Sequence, residues 1–202
     1  MDVTQIGAQT VTFQQRIDAL RETKVAHTAI KLQRRGYFDI DDHGYIPWDE
    51  PIPFERKSNH PSGGCYGAAC IGENFRAWLE VHPVYINPHS ALAGAWVGYV
   101  PRVGGWRPED RPAHLRPLQE EYNIQYTGIG GMNHFGPDMR IGFQLGWGGL
   151  LQKIRYYREL NRPADTSFYD AEENLVLGIQ AWIRRHVTKA REMDQVLPSR
   201  VL

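Results

Sequence analysis

The sequence predicts a mainly α-helical fold with a few short strands, belonging to a larger architecture. Three features predict it. Apolar residues recur at helical spacing toward both ends of the chain, and short β-branched and aromatic runs stand near its middle. Two passages, about 36–64 and 101–130, are too long and too rich in turn formers to be simple helix connections.

From Thr12, the positions Phe13, Ile17, Leu20, Val25, Ala29 and Leu32 trace one face of a helix that should stop at Gly36. The passage that follows carries Pro47, Pro51, Pro53 and Pro61 and reads as irregular chain laid over another element. Ala69, Phe75, Trp78 and Leu79 share a face of a short helix over 68–80, before Pro83 intervenes. VYI at 84–86 and AWVGYV at 95–100 read as strands between turn signals. Prolines at 101, 108, 112 and 117 make the second irregular passage. A helix is expected from Pro137 to about Leu160, with proline in its first turn and Asp138 beside the positive end of its dipole. Phe168, Ala171, Leu175, Ile179, Trp182, His186 and Ala190 then mark the last helix.

Composition narrows the function classes. Lys plus Arg and Asp plus Glu number 23 each in 202 residues, so no strong field invites nucleic acid or an acidic membrane. The local clusters Lys31, Arg34, Arg35 and Arg184, Arg185, Lys189, Arg191 read as solvated helix faces. Cys65 and Cys70 are too few for a disulfide-built fold, and the sequence shows neither a spanning apolar run nor a signal segment. The expectation is a cytoplasmic protein.

Two stretches hold chemistry-bearing residues. In GMNHFGPDM, His134 and Asp138 are four apart, but Pro137 places a helix start between them. Either Asn133 or His134 caps that helix while Asp138 meets its dipole, or the pair ligates a metal; two ligands without a third do not make a site. Glycines 142, 146, 148 and 149 either admit another element closely or end the helix early. In HPSGGCYGAAC, His60, Cys65 and Cys70 lack zinc-knuckle spacing and a fourth ligand, so the cysteines read as two small buried apolar side chains.

The order of segments resembles the glycyl radical enzymes, in their pyruvate formate-lyase-like domain. Arg16, Leu20 and Arg21 match that family's opening Arg-x-x-x-Leu-Arg helix. HPVYINPHSALAGAWVG at 82–98 is similar to a second family passage, through Pro83, Ile86, Leu92 and Gly94. His134, Pro137 and Asp138 match the family's Gly-His-Thr-x-Pro-Asp, and Gly146 follows eight residues after the aspartate; Asn133 and Phe135 depart from it. FYDAEENLVLGIQAWIRRHVTKARE at 168–192 resembles the family's Phe-Tyr-x-Ala helix.

The resemblance implies the N-terminal segment of such an enzyme, over 1–202 as one partial domain, built as an outer part of the family's ten-stranded α/β barrel. It implies a lyase, dehydratase or decarboxylase of anaerobic metabolism acting on a small organic substrate. His134 would bind a substrate hydroxyl, with Pro137 and Asp138 as the structural helix start and no metal. The cysteine that becomes a thiyl radical and the glycine that stores the radical are missing: neither Cys65 nor Cys70 stands in a Cys-x-Glu loop. Arg102-Val103-Gly104-Gly105-Trp106 looks like the radical loop, but its place after Leu92-Ala93-Gly94 marks an ordinary turn. The chain would carry no cofactor itself. It would need the remainder of the enzyme or a complementary chain, together with an activating enzyme that uses S-adenosylmethionine and an iron–sulfur cluster, and the whole would be a homodimer. Two alternatives stand beside this reading. One is a non-catalytic binding or regulatory subunit, and the other a self-standing hydrolase or metal enzyme using His134, Asp138 and a third residue such as His60.

Overall fold

The computed structural model describes residues 3–6, 9–35, 45–97, 107–110, 113–123 and 138–196. At the N-terminus, β1 (Val3–Ile6) and β2 (Gln9–Thr12) pair antiparallel with Val3 opposite Thr12 and Ile6 opposite Gln9. Helix α1 (Phe13–Arg35) follows at once. Thr12 caps it: its hydroxyl accepts from the Gln15 amide at 3.2 Å, while the Gln15 side chain accepts from the Thr12 amide at 2.8 Å. This reciprocal exchange is the capping box, and it satisfies N–H groups that the first turn leaves without partners.

Strand β3 (Tyr45–Ile46) and strand β4 (Trp96–Val97) pair in parallel over two residues, and α2 (Ala68–Val81) lies between them in sequence. Single turns of 3-10 helix at Pro108–Asp110 and Ala113–Leu115 precede α3 (Arg116–Glu121). Two long helices, α4 (Met139–Asn161) and α5 (Ser167–Val196), complete the described chain.

Strand is therefore confined, among the described residues, to two short pairings, and the chain is mainly helical. It does not form the part of a ten-stranded α/β barrel that the family likeness implies. The segment 84–86 shows why. Prolines 83 and 88 flank it, the Tyr85 N–H donates to His186 Nε2 at 3.4 Å, and the Tyr85 carbonyl accepts from Gly94 N at 2.9 Å. Its backbone is engaged by a helix side chain and a turn, so it makes no strand.

The described residues group into two compact units. One comprises Met1–Glu55, Arg76–Pro101 and Gly178–Leu202, and the other Arg56–Phe75 and Arg102–Leu177. The core of the first is Trp78, Leu79, His82 and Val97, all nearly or fully buried. His82 Nε2 accepts from the Val97 amide at 3.2 Å, so its Nδ1 carries the proton and donates to the Pro83 carbonyl at 3.0 Å. Edge-to-face contacts run from Trp78 to His82, His82 to Trp182 and Trp182 to His186, with ring centroids 4.4, 5.1 and 4.9 Å apart. Arg185 reaches the end of α2 and donates to the carbonyls of Glu80 and His82 at 2.9 and 2.8 Å. The basic clusters are thus not simply solvated faces: Arg185 caps a helix, and Lys31 is 1% exposed.

In the second unit α2 and α5 meet at Gly72, where a Cβ would lie 2.4 Å from Ala171 Cα. Asn74, also buried, holds the chain before α2. Its carbonyl accepts from Lys57 N at 2.9 Å, and its amide donates to Lys57 O at 3.1 Å and Cys70 O at 2.8 Å. One side chain so replaces a neighbouring strand for the Lys57 peptide. Ion pairs Arg155–Glu173 and Arg158–Asp170 tie α4 to α5 across the five-residue connection.

Candidate functional site

Asp138 is the residue of the expected site that the structure describes; His134 and Pro137 lie outside the described residues, as does the 101–106 stretch. Asp138, and not Asn133 or His134 as expected, is the N-cap of α4, its backbone extended at φ −72° and ψ 91°. Its carboxylate accepts from the Arg140 amide at 3.0 Å and from the Arg140 guanidinium at 3.2 and 3.3 Å. These bonds to Arg140 favour the charged form and hold the carboxyl below its ordinary range. A carboxylate so engaged serves the helix start.

Helix α4 has no buried residue among its 23. Phe143 is 80% exposed, and Met139, Ile141, Leu145 and Trp147 also stand open. Gly146 breaks the helix with φ 58° and ψ −179°, a backbone conformation that residues with a side chain rarely adopt. Of the other glycines, Gly142 and Gly148 have nothing within 4 Å of where a Cβ would sit. They admit no close neighbour, so the break at Gly146 is the structural consequence of this glycine-rich run.

Between α4 and the start of α5 runs an apolar groove of about 480 Å³, lined by Ile141, Leu150, Tyr157 and Phe168, with Lys153 and Glu172 at its wall. Burial pushes the Glu172 carboxyl above its ordinary value, toward the neutral acid.

The loop before α2 is a densely bonded polar feature of the described residues. Its backbone turns at His60–Gly63, closed by Gly63 N donating to His60 O at 2.9 Å, with Gly63 at φ 76°. The single Ser58 hydroxyl proton is shared between the carbonyls of His60 and Gly64, 2.8 and 2.9 Å from Oγ, while the Arg56 guanidinium donates to Gly63 O and the Asn59 amide to Tyr66 O. Within this frame His60 Nδ1 lies 2.7 Å from Ser62 Oγ and accepts from the Ser62 amide at 3.1 Å. An amide N–H only donates, so Nδ1 is unprotonated and Nε2 carries the hydrogen that meets Glu109 Oε1 at 3.0 Å. Glu109 stays ionised below its ordinary range, through its own backbone N–H and then through His60.

Cys65 and Cys70 are buried, at 2% and 8% exposure, but they are bonded to each other and are not the two separate apolar side chains expected. No group of three or more His, Cys, Asp or Glu able to hold a metal occurs among the described residues. The sequence offers His60 as a metal ligand or a third residue beside His134 and Asp138, whereas its partners in the structure are Ser62 and Glu109. Ser62 was in reach of sequence reasoning, two residues away in HPSGG. Glu109, 49 residues on, was not. No helix among the described residues is long and apolar enough to cross a membrane. No protein-family model, curated protein or solved structure matches the chain.

Proposed function

We propose that the chain is the substrate-side segment of a glycyl radical enzyme, acting with a polypeptide that carries the thiyl cysteine and the radical glycine. The observation that carries this reading is the order of four family-like segments: Arg16 to Arg21, His82 to Gly98, His134 to Leu150 and Phe168 to Glu192. Support comes also from α4, which starts at the family-like Asp138 and leaves its apolar residues uncovered, as suits a helix made to be covered by further chain. In this reading the barrel has no part.

The radical supplies hydrogen abstraction from the substrate when the whole enzyme is assembled and activated. In this reading the thiol comes from the second polypeptide, which accords with the pairing of Cys65 and Cys70 with each other. The chain itself contributes His134 as the hydrogen-bond partner of a substrate hydroxyl, the role the family likeness assigns to it. The test is anaerobic co-expression with a chain bearing Cys-x-Glu and Arg-Val-x-Gly-Tyr loops and an activating enzyme. Co-purification, a glycyl radical signal in electron paramagnetic resonance, and a His134→Ala variant that loses turnover but keeps its unfolding midpoint are expected. Failure of the chains to associate, or a His134→Ala variant with full turnover, refutes the proposal.

A further inference from the structure

We propose that Ser62 is a nucleophile activated by His60 and Glu109, which makes the 58–66 loop an acyl-accepting site for short-chain carboxylic esters. This site is separate from the radical reading and stands or falls without it.

The geometry is that of a nucleophile, a base and a group that orients the base. Ser62 Oγ lies 2.7 Å from His60 Nδ1, and His60 Nε2 lies 3.0 Å from Glu109 Oε1. The ring nitrogens are used in the opposite order from the familiar serine hydrolase arrangement, but the roles are the same. A turn held only by local bonds would need no partner on the far nitrogen. Here that nitrogen is met by a carboxylate from a different segment of the same unit, 49 residues away.

The tautomer is fixed by the Ser62 amide, which can only donate to Nδ1. Ser62 Oγ–H therefore faces a lone pair. Tyr66 adds a fourth group: its hydroxyl is 3.3 Å from Ser62 Oγ and its ring meets the His60 ring edge-on with centroids 5.3 Å apart. The absence of a side chain at Gly64 admits the Tyr66 ring, since a Cβ there would lie 2.3 Å from it. Ser62 itself is exposed, so an ester reaches it from solvent.

The step balances within these groups. Ser62 Oγ attacks the ester carbonyl carbon as its proton passes to His60 Nδ1, and Glu109 stabilises the resulting imidazolium through Nε2–H. The Tyr66 hydroxyl, 3.3 Å from Ser62 Oγ at rest, is placed to donate to the oxygen on which negative charge gathers. Collapse of the tetrahedral species breaks the bond to the leaving alkoxide, which takes the proton from Nδ1. Water then attacks the acyl-serine, giving its proton to Nδ1. On collapse Ser62 Oγ recovers that proton and the free acid leaves.

The experiment uses p-nitrophenyl acetate and a fluorophosphonate probe on the full chain, with intact mass and peptide mapping. The expected result is one acetyl or phosphonyl group on Ser62. The label is absent in Ser62→Ala and slowed by about 100-fold or more in His60→Gln. It slows by about 100-fold in Tyr66→Phe, which loses the donor to the developing charge. Glu109→Gln slows acylation at least about tenfold while keeping the circular dichroism of the parent, which separates loss of activation from loss of fold. No adduct on Ser62 in the folded chain, or a Ser62 adduct whose rate is unchanged in Glu109→Gln and Tyr66→Phe, overturns the assignment.

Discussion

Gly72 tests how α2 and α5 hold the second unit together. A Cβ at this position would lie 2.4 Å from Ala171 Cα, 2.8 Å from Ala171 Cβ and 2.9 Å from Ala171 O. Carbon atoms in contact sit roughly 3.5–4.0 Å apart, so Gly72→Ala creates an overlap of about 1 Å or more against backbone that cannot rotate aside. The helices must separate. Forcing a methyl group into a packed contact costs about 1–3 kcal/mol, and backbone overlap places this site near the upper end. The gain in helix propensity on replacing glycine by alanine offsets about 1 kcal/mol. The net expectation is a loss of about 2 kcal/mol, which lowers the thermal midpoint by roughly 4–8 °C in a chain of this length. Gly148 is the control, because it lies in α4 with nothing within 4 Å of a built Cβ. Gly148→Ala should gain about 1 kcal/mol and raise the midpoint by roughly 2–4 °C. Far-UV circular dichroism melts of the two variants decide the matter. If Gly72→Ala raises the midpoint as Gly148→Ala does, the close approach of α2 and α5 at this point is wrong.

Arg185→Ala removes the donor to the Glu80 and His82 carbonyls at the end of α2, and a loss of about 2–3 kcal/mol in denaturant unfolding is expected. Arg185→Lys, a single point charge, should restore only part of it. Burial lowers the His82 pKa below its ordinary 6.5, and burial with Lys31 and Lys24 lowers that of His27. The unfolded chain then binds more protons than the folded one as pH drops below 6.5. The midpoint should accordingly be highest above pH 6.5 and fall as acid carries His82 and His27 through their lowered folded values. A midpoint flat between pH 7.5 and 5.5 would contradict this. Alkylation of the denatured, unreduced chain should label neither Cys65 nor Cys70, and prior reduction should expose both; free thiols before reduction would contradict their pairing.

The helices were legible because each announces itself locally. The run from Thr12 to Gly36 anticipated α1 at Phe13–Arg35, 68–80 anticipated α2 at Ala68–Val81, and the apolar repeat from Phe168 anticipated α5. A stripe at helical spacing needs only its own residues to form, and its ends are set by neighbours such as Thr12 and Asp138. Strands are different, because a strand exists only if another segment takes its hydrogen bonds. VYI at 84–86 has the composition of a strand, yet His186, about a hundred residues away, and Gly94 take the bonds of Tyr85. The N-terminal hairpin failed to register for the opposite reason: its polar sequence, VTQIGAQTVT, has little apolar alternation, and the pairing of Val3 with Thr12 rests on backbone bonds.

The same distinction explains the site. Asp138 was legible as a helix start because a proline, an aspartate and a following apolar run sit side by side. His60 was visible as a residue but its bonding was not, since that is set by which groups face its two nitrogens. One of those is local, Ser62, and the other, Glu109, comes from a single 3-10 turn inside a passage that reads as irregular. Irregular passages hide sites for a physical reason. Periodicity reports only burial, and the turn that carries Glu109 has no buried residue. What a sequence can offer there is the density of turn-forming and hydroxyl residues, as in SNHPSGG, which marks backbone held by side chains and therefore a place where a histidine can be fixed in one tautomer.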